Sequence, residues 1–265
     1  MKRKPKLGQN FLTDDRARHA IADALGDIRQ RTVIEIGPGK GAITDILVPR
    51  AGHLVALELD RELAPALAAR YADTPTIRVI EDDVLRIDLA SIIPSGETAD
   101  VIGNLPYYIT SDILLKLFAA GAAGHLRRAV VMMQREVADR VAASPGVRDY
   151  GLLSATAQMN ASVEHLFTLS PSSFSPPPEV FSSVLRLTFA PRYGELQVDP
   201  EGFDRFLKQS FAQKRKTLEN NLRAAGFSPQ HLAQAWPASI PKMARAEALT
   251  LEEMSELYRA LAANA

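Results

Sequence analysis

The chain has 265 residues, 46% of them hydrophobic, with five histidines and no cysteine. It can bury a full core, and a prior of about 150 residues per domain points to one large domain and a smaller one, without a disulfide framework or a cysteine-based metal site. Lysine plus arginine and aspartate plus glutamate both number 31, so the net charge of zero argues against nucleic-acid binding by bulk charge and leaves only local basic clusters.

The N-terminal stretch "MKRKPKLGQNFLTDD" is basic through Lys2, Arg3, Lys4 and Lys6, yet no apolar signal-peptide segment follows it. No apolar run is long enough to cross a bilayer, so a cytoplasmic protein is expected, without membrane attachment. The scattered histidines make only a weak case for zinc, and no metal is expected.

From residue 32 onward, apolar runs of strand length alternate with amphipathic stretches of helix length. "TVIEI" precedes a helix from about Ala42, "HLVALEL" precedes "DRELAPALAARY", and "TIRVI" follows. "DVIGN" then precedes "SDILLKLFAAG", and "RAVVMMQ" precedes "REVADRVAAS". Strands that are apolar on both faces and separated by helices predict a parallel sheet covered on both sides. After Tyr150, a helix-like "LLSATAQMN" leads into "SVEHLFTL", the Pro-rich "SPSSFSPPPEV" and "SSVLRLTF", which reads as an antiparallel pair closing the sheet edge. The fold class expected is α/β, a seven-stranded Rossmann-like sheet. From Pro200 the chain reads as helices punctuated at "GFSPQ" and "WPASIPK", giving domains over 1–190 and 191–265, the second all-helical.

In "VIEIGPGKGAIT" the glycines Gly37, Gly39 and Gly41 follow the first predicted strand and open a helix, where a turn lets a ligand approach the backbone. Glu58 ends the second strand, placed to accept both ribose hydroxyls of a nucleotide cofactor. This loop is compatible with a nicotinamide dinucleotide as well as with S-adenosylmethionine. The third strand runs into "EDDVL", where a carboxylate, Asp83 in preference to its neighbour Asp82, is placed to accept an adenine amino group. Acidic ends on strands two and three, with a closing antiparallel pair, suit an S-adenosylmethionine-dependent methyltransferase better than a dehydrogenase.

The fourth strand ends in "GNLPYYIT". Ligands of an open parallel sheet sit beyond the carboxyl ends of its strands, so Asn104 is expected in the crevice beside the cofactor. Pro106 fixes its own φ and drives Leu105 into an extended conformation, holding the local carbonyls rigidly. The exocyclic amine of adenine is a poor nucleophile because its lone pair is delocalised into the ring. The Asn104 side-chain oxygen and the Pro106 carbonyl would accept the two amine hydrogens, favour a tetrahedral nitrogen and aim its lone pair at a methyl group. Tyr107 offers a face for a base drawn out of its stack, whereas Tyr108 reads equally as wall or core. Phe174, held ahead of Pro176, Pro177 and Pro178, is read as the opposite face of this clamp, or else as a hydrophobic plug beneath the loop.

Taken in order, "KLGQNFL", "VIEIGPGKGAIT", "ALELD", "EDDVL", "GNLPYYIT", "FSPPPEVFSSVLRL", "FAQKRKTLENNL" and "ARAEAL" resemble the ribosomal RNA small-subunit adenine dimethyltransferases (KsgA/RsmA and Dim1 family), with the Erm methyltransferases as relatives. The resemblance implies N6 dimethylation of two adjacent adenosines in the 3′-terminal hairpin of small-subunit rRNA, with an immature ribosomal subunit as partner. It implies cofactor contacts at Asn10 and Leu12, with Gln9 nearby, and at Gly37, Gly39, Glu58, Asp83 and Asn104. Target-base contacts are implied at Asn104, Pro106, Tyr107 and Phe174. Phe181 departs from the family pattern, standing where an acidic residue is often seen. Lys214, Arg215 and Lys216, read on a helix, would hold RNA phosphates together with Lys2, Arg3, Lys4 and Lys6, or would be plain solvated charges. A monomer is expected. Two alternatives stay open: an Erm-type methyltransferase acting on large-subunit RNA, and an RNA-binding assembly factor without catalysis.

Overall fold

Strands that are apolar on both faces need cover on both faces, and the chain supplies it from its own helices. A computed structural model describes residues 10–263. Its strands are β1 (Phe11–Leu12), β2 (Thr32–Ile36), β3 (His53–Glu58), β4 (Ile77–Glu81), β5 (Ala99–Asn104), β6 (Leu126–Gln134), β7 (Ala161–Leu169), β8 (Phe174–Ser175) and β9 (Ser182–Phe189). The helices are α1 (Asp15–Asp23), α2 (Thr44–Leu47), α3 (Leu63–Arg70), α4 (Thr110–Ala122), α5 (Arg135–Ala142), α6 (Leu152–Asn160), α7 (Pro200–Ser210), α8 (Leu218–Ala224), α9 (Pro229–Ala235) and α10 (Leu251–Ala263).

Seven strands form one sheet in the order β4-β3-β2-β5-β6-β9-β7. The first five are parallel, and β9 runs antiparallel to β6. Thr168 Oγ1 meets Ser183 Oγ at 2.9 Å, and Arg186 Nε donates to Glu164 at 3.0 Å. Partner numbers rise along β9 as they fall along β7, so the edge pair is antiparallel, as the sequence predicts. A feature the sequence reading did not contain is a short ribbon, in which β1 pairs antiparallel with β8 and places Leu12 opposite Phe174.

The chain divides into two compact units: residues up to Ala138 with Ser162–Phe189, and Asp139–Ala161 with everything from Ala190 on. The first unit is centred on the sheet, where Val33, Leu54, Ile102, Val130 and Val184 pack with Ile21, Leu25 and Leu47 from flanking segments. The second unit is helical. Phe203, Phe206, Leu222, Leu232 and Leu257 form its core, and Tyr150, Ala155 and Met159 belong to that core too. A single cut at residue 190 therefore misplaces residues 139–161. Their buried side chains join the helical core, and Tyr150 meets Phe211 edge-on at 6.0 Å. Chain order alone gives no sign of such an excursion.

Candidate active site

In this sheet β2 lies between β3 and β5, so strand order reverses there and a crevice opens beyond the carboxyl ends of the strands. A cleft open to solvent occupies that place. It is lined by residues from four of the segments the sequence singled out, though not by Asp83 or Phe174: Asn10 and Leu12, Gly37 and Gly39, Glu58, and Asn104, Pro106, Tyr107 and Tyr108.

The glycine loop forms the floor. Gly39 has φ of 58°, and a Cβ there would come within 3.0 Å of the Phe11 ring, so only glycine lets β1 lie so close over the loop. Lys40 sets its ammonium over the same ring, 4.7 Å from the centroid. The far side of the loop is tied down by Arg70, which donates to the Lys40 carbonyl at 3.3 Å and to Asp45 at 2.6 Å. Glu58 is buried, and its two oxygens accept the Gly39 and Asp60 N–H groups, each at 2.9 Å. A carboxylate has about four acceptor sites, so capacity remains for ribose hydroxyls.

Glu35 is a lining residue that the sequence reading passed over. It interrupts the apolar run of β2, is 2% exposed, and accepts a hydrogen bond from Thr44 Oγ1 at 2.7 Å. Burial pushes its carboxyl up to about 8, with the nearby charges of Asp45 and Glu58 adding to the shift. The signal was available: a lone acid inside a strand otherwise made of Thr, Val and Ile.

At the opposite wall, Asn104 Nδ2 donates to the Asn10 carbonyl at 3.1 Å. Its Oδ1 is shielded from water and accepts no hydrogen bond from any described residue. Leaving such an acceptor unsatisfied costs about 1–3 kcal/mol, which marks it as an atom awaiting a partner. The Pro106 carbonyl is not equivalent to it, because it already accepts the Ile109 N–H at 3.2 Å and the Thr110 hydroxyl at 2.9 Å. Leu105, by contrast, lines the cleft, and its carbonyl is reached by no described donor. Tyr107 is half-buried, with its hydroxyl 2.8 Å from Ser182 Oγ, and burial raises its pKa. Tyr108 is 61% exposed, so it is a wall residue and not core.

These motifs in this geometry match one family model, that of ribosomal RNA adenine dimethylase, over residues 1–263. The chain belongs to that family. Curated members similar to it are named ribosomal RNA small subunit methyltransferase A. The protein from Acidobacterium capsulatum is 59% identical over 98% of this chain and 92% of its own length. That from Koribacter versatilis is 49% identical over 98% and 94%. Among solved structures, a dimethyladenosine transferase from Plasmodium falciparum superposes with a TM-score of 0.77 at 22% identity, covering 93% of this chain and 95% of that one. The 23S rRNA methyltransferase ErmE superposes with 0.69 at 23% identity, covering 96% and 100%. At these identities the two structures speak for a shared fold, the α/β methyltransferase sheet with a C-terminal helical region.

For this family member, some residues singled out in sequence do not line the cleft. Asp83 is half-buried, and its Oδ1 accepts the Leu85 N–H at 2.9 Å, closing the turn after β4; Asp82 is exposed and accepts the Asp83 N–H at 2.7 Å. Phe174 is 4% exposed and packs in the sheet core with Leu12, Met132 and Val184, so it sits as a plug beneath the β1–β8 ribbon and not as an open clamp face. Ser175 and Pro176, next in the chain, are joined by a cis peptide bond. Lys214, Arg215 and Lys216 do not lie on a helix. They occupy the turn between α7 and α8, exposed, where they line a second cavity with Gln213, and Lys214 Nζ donates to the Arg148 carbonyl at 2.6 Å. Lys2, Arg3, Lys4, Lys6 and Gln9 lie outside the described residues. Among the described residues there is no cluster of three or more histidines and carboxylates placed to hold a metal ion, and no helix long and apolar enough to cross a membrane.

Proposed function

We propose that this protein uses S-adenosylmethionine to dimethylate the exocyclic amines of two adjacent adenosines in the 3′-terminal hairpin of 16S rRNA, within an immature small ribosomal subunit. The observation that carries the reading is the Asn104 amide, anchored through Nδ2 to Asn10 and holding at the cleft wall an Oδ1 that has no partner among the described residues. Family membership supports the reaction class, and the names of the curated relatives support the small subunit as substrate. A substrate assembled on the ribosome would place the protein in the cytoplasm.

The cleft fits the cofactor. Its floor is a glycine turn that brings the backbone close to a ligand, and the buried Glu58 keeps acceptor capacity for hydroxyl groups. Asn10, Leu12, Gly37, Gly39 and Glu58 would hold the cofactor, which when bound supplies an electrophilic methyl group.

The chain's own part in the reaction is positional. Asn104 Oδ1 and the Leu105 carbonyl would accept the amine hydrogens, holding nitrogen tetrahedral with its lone pair directed into the cleft. Tyr107, fixed by Ser182, would stack on the flipped base, a contact worth about 1–3 kcal/mol. No strong base is needed while the amine stays neutral, and the proton released after transfer can leave to water. The helical unit, with the exposed turn carrying Arg215 and Lys216, would supply phosphate contacts.

The test is transfer of labelled methyl groups to purified ribosomal subunits, followed by mapping of the modified nucleotides. Two dimethylated adenosines in unmethylated small subunits are expected. Modification of naked large-subunit RNA instead would move the protein to the Erm branch.

A further inference from the structure

Phe181 is a large apolar residue that is 45% exposed. It is fixed to the site in two ways. Its carbonyl accepts the Arg135 N–H at 3.0 Å, at the start of α5, and the next residue, Ser182, holds the Tyr107 hydroxyl at 2.8 Å. The Phe181 Cα thus lies about 3.8 Å from that of the residue whose hydroxyl orients Tyr107. The Arg135 guanidinium packs over the ring with its carbon 5.2 Å from the centroid, and no described carboxylate pairs with it. Leu59 and Tyr108, both exposed, line the cleft, and Val180, also exposed, precedes Phe181. An exposed aromatic backed by an unpaired guanidinium, beside a wall that takes a flipped base, has the chemistry of a nucleobase stacking surface with a phosphate contact.

We propose that Phe181 and Arg135 form a stacking platform for the unpaired nucleotide next to the flipped adenosine. The proposal rests on the RNA-methylating function above and adds a subsite to it. A π-face does not select among bases, so the platform raises affinity for a splayed hairpin loop without reading its sequence.

Steady-state methylation of unmethylated small subunits by the full-length protein tests this, with calorimetric titration of S-adenosylmethionine alongside. Phe181→Ala is expected to raise KM for the subunits about tenfold, with kcat and cofactor affinity changed less than twofold, while Phe181→Trp keeps KM near wild type. Arg135→Ala is expected to raise KM several-fold. A hairpin RNA carrying 2-aminopurine beside the target adenosine should show fluorescence quenching with wild type and with Phe181→Trp, and much less with Phe181→Ala. If wild type methylates subunits but Phe181→Ala shows an unchanged KM and unchanged quenching, the platform is wrong and the function stands. If wild type transfers no methyl group to subunits, the functional reading itself fails and takes the platform with it.

Discussion

The Asn104 amide is held by its nitrogen and empty at its oxygen: Nδ2 donates to the Asn10 carbonyl at 3.1 Å, and Oδ1 has no described partner. The amide is thereby oriented before any substrate arrives. Asn104→Ala should lower the rate of methyl transfer by at least a hundredfold while changing RNA affinity less than threefold, because the oxygen acts on the amine chiefly in the transition state. Asn104→Asp keeps an oxygen but sets a carboxylate against the Asn10 carbonyl, and should lose activity too. Equal losses in rate and RNA binding, seen in single-turnover and filter-binding assays, would make Asn104 a structural residue.

Glu58 should dominate cofactor affinity. Removing a buried, charge-assisted acceptor should cost on the order of 1.5–3 kcal/mol in S-adenosylmethionine binding by calorimetry. Part of that loss would come through Gly39, whose N–H Glu58 accepts at 2.9 Å. NAD should not compete with the cofactor. A Glu58→Ala protein binding as tightly as wild type would remove Glu58 from the site.

Glu35 makes stability depend on pH. Its folded carboxyl titrates at about 8, above the ordinary 4.5, so between those values the native chain holds a proton that the unfolded chain has lost. Stability should therefore fall as pH rises from about 5 to 8 and level off above that, by a few kcal/mol in total. Glu35→Gln should flatten this slope, and denaturant melts at pH 5, 6.5 and 8 would show it. A slope unchanged in Glu35→Gln would mean that the wild-type carboxyl titrates normally.

Phe174 separates two readings. As a core plug, Phe174→Ala should cost about 3–5 kcal/mol of stability, lower the melting temperature and loosen the ribbon that carries Asn10. As a base clamp, the same variant would melt like wild type and lose only transfer to RNA. The core position predicts the first outcome, and thermal melts with a methylation assay distinguish them.

The turn between α7 and α8 should act through phosphates. Arg215→Ala with Lys216→Ala should reduce the slope of log affinity against log salt by about 1.4–1.8 if both side chains meet phosphate. Lys214 is already committed to the Arg148 carbonyl, so its replacement should matter less for RNA than for local order. An unchanged slope in the double variant would leave this turn a solvated surface.

The sequence by itself determined the sheet and which strand ends meet at the cleft. Apolar runs of strand length and the glycine turn are local signals, and the topology rule for parallel sheets sends the ends of "VIEIG", "ALE" and "GN" to one crevice whatever the details of packing. What it could not determine depended on contacts between distant segments. The β1–β8 ribbon joins two stretches of two residues each, too short to carry a periodicity, and only that pairing buries Phe174 and brings the Asn10 carbonyl to Asn104. The carbonyl of Pro106 looked as available as that of Leu105 until the turn that follows it, through Ile109 and Thr110, claimed both its lone pairs. The raised titration of Glu35 is likewise a property of its surroundings, since desolvation exists only once the sheet has closed over it. Residues 139–161 left the sheet unit for the same reason: Tyr150 and Met159 find a core among the C-terminal helices, and hydrophobic burial takes no account of chain order.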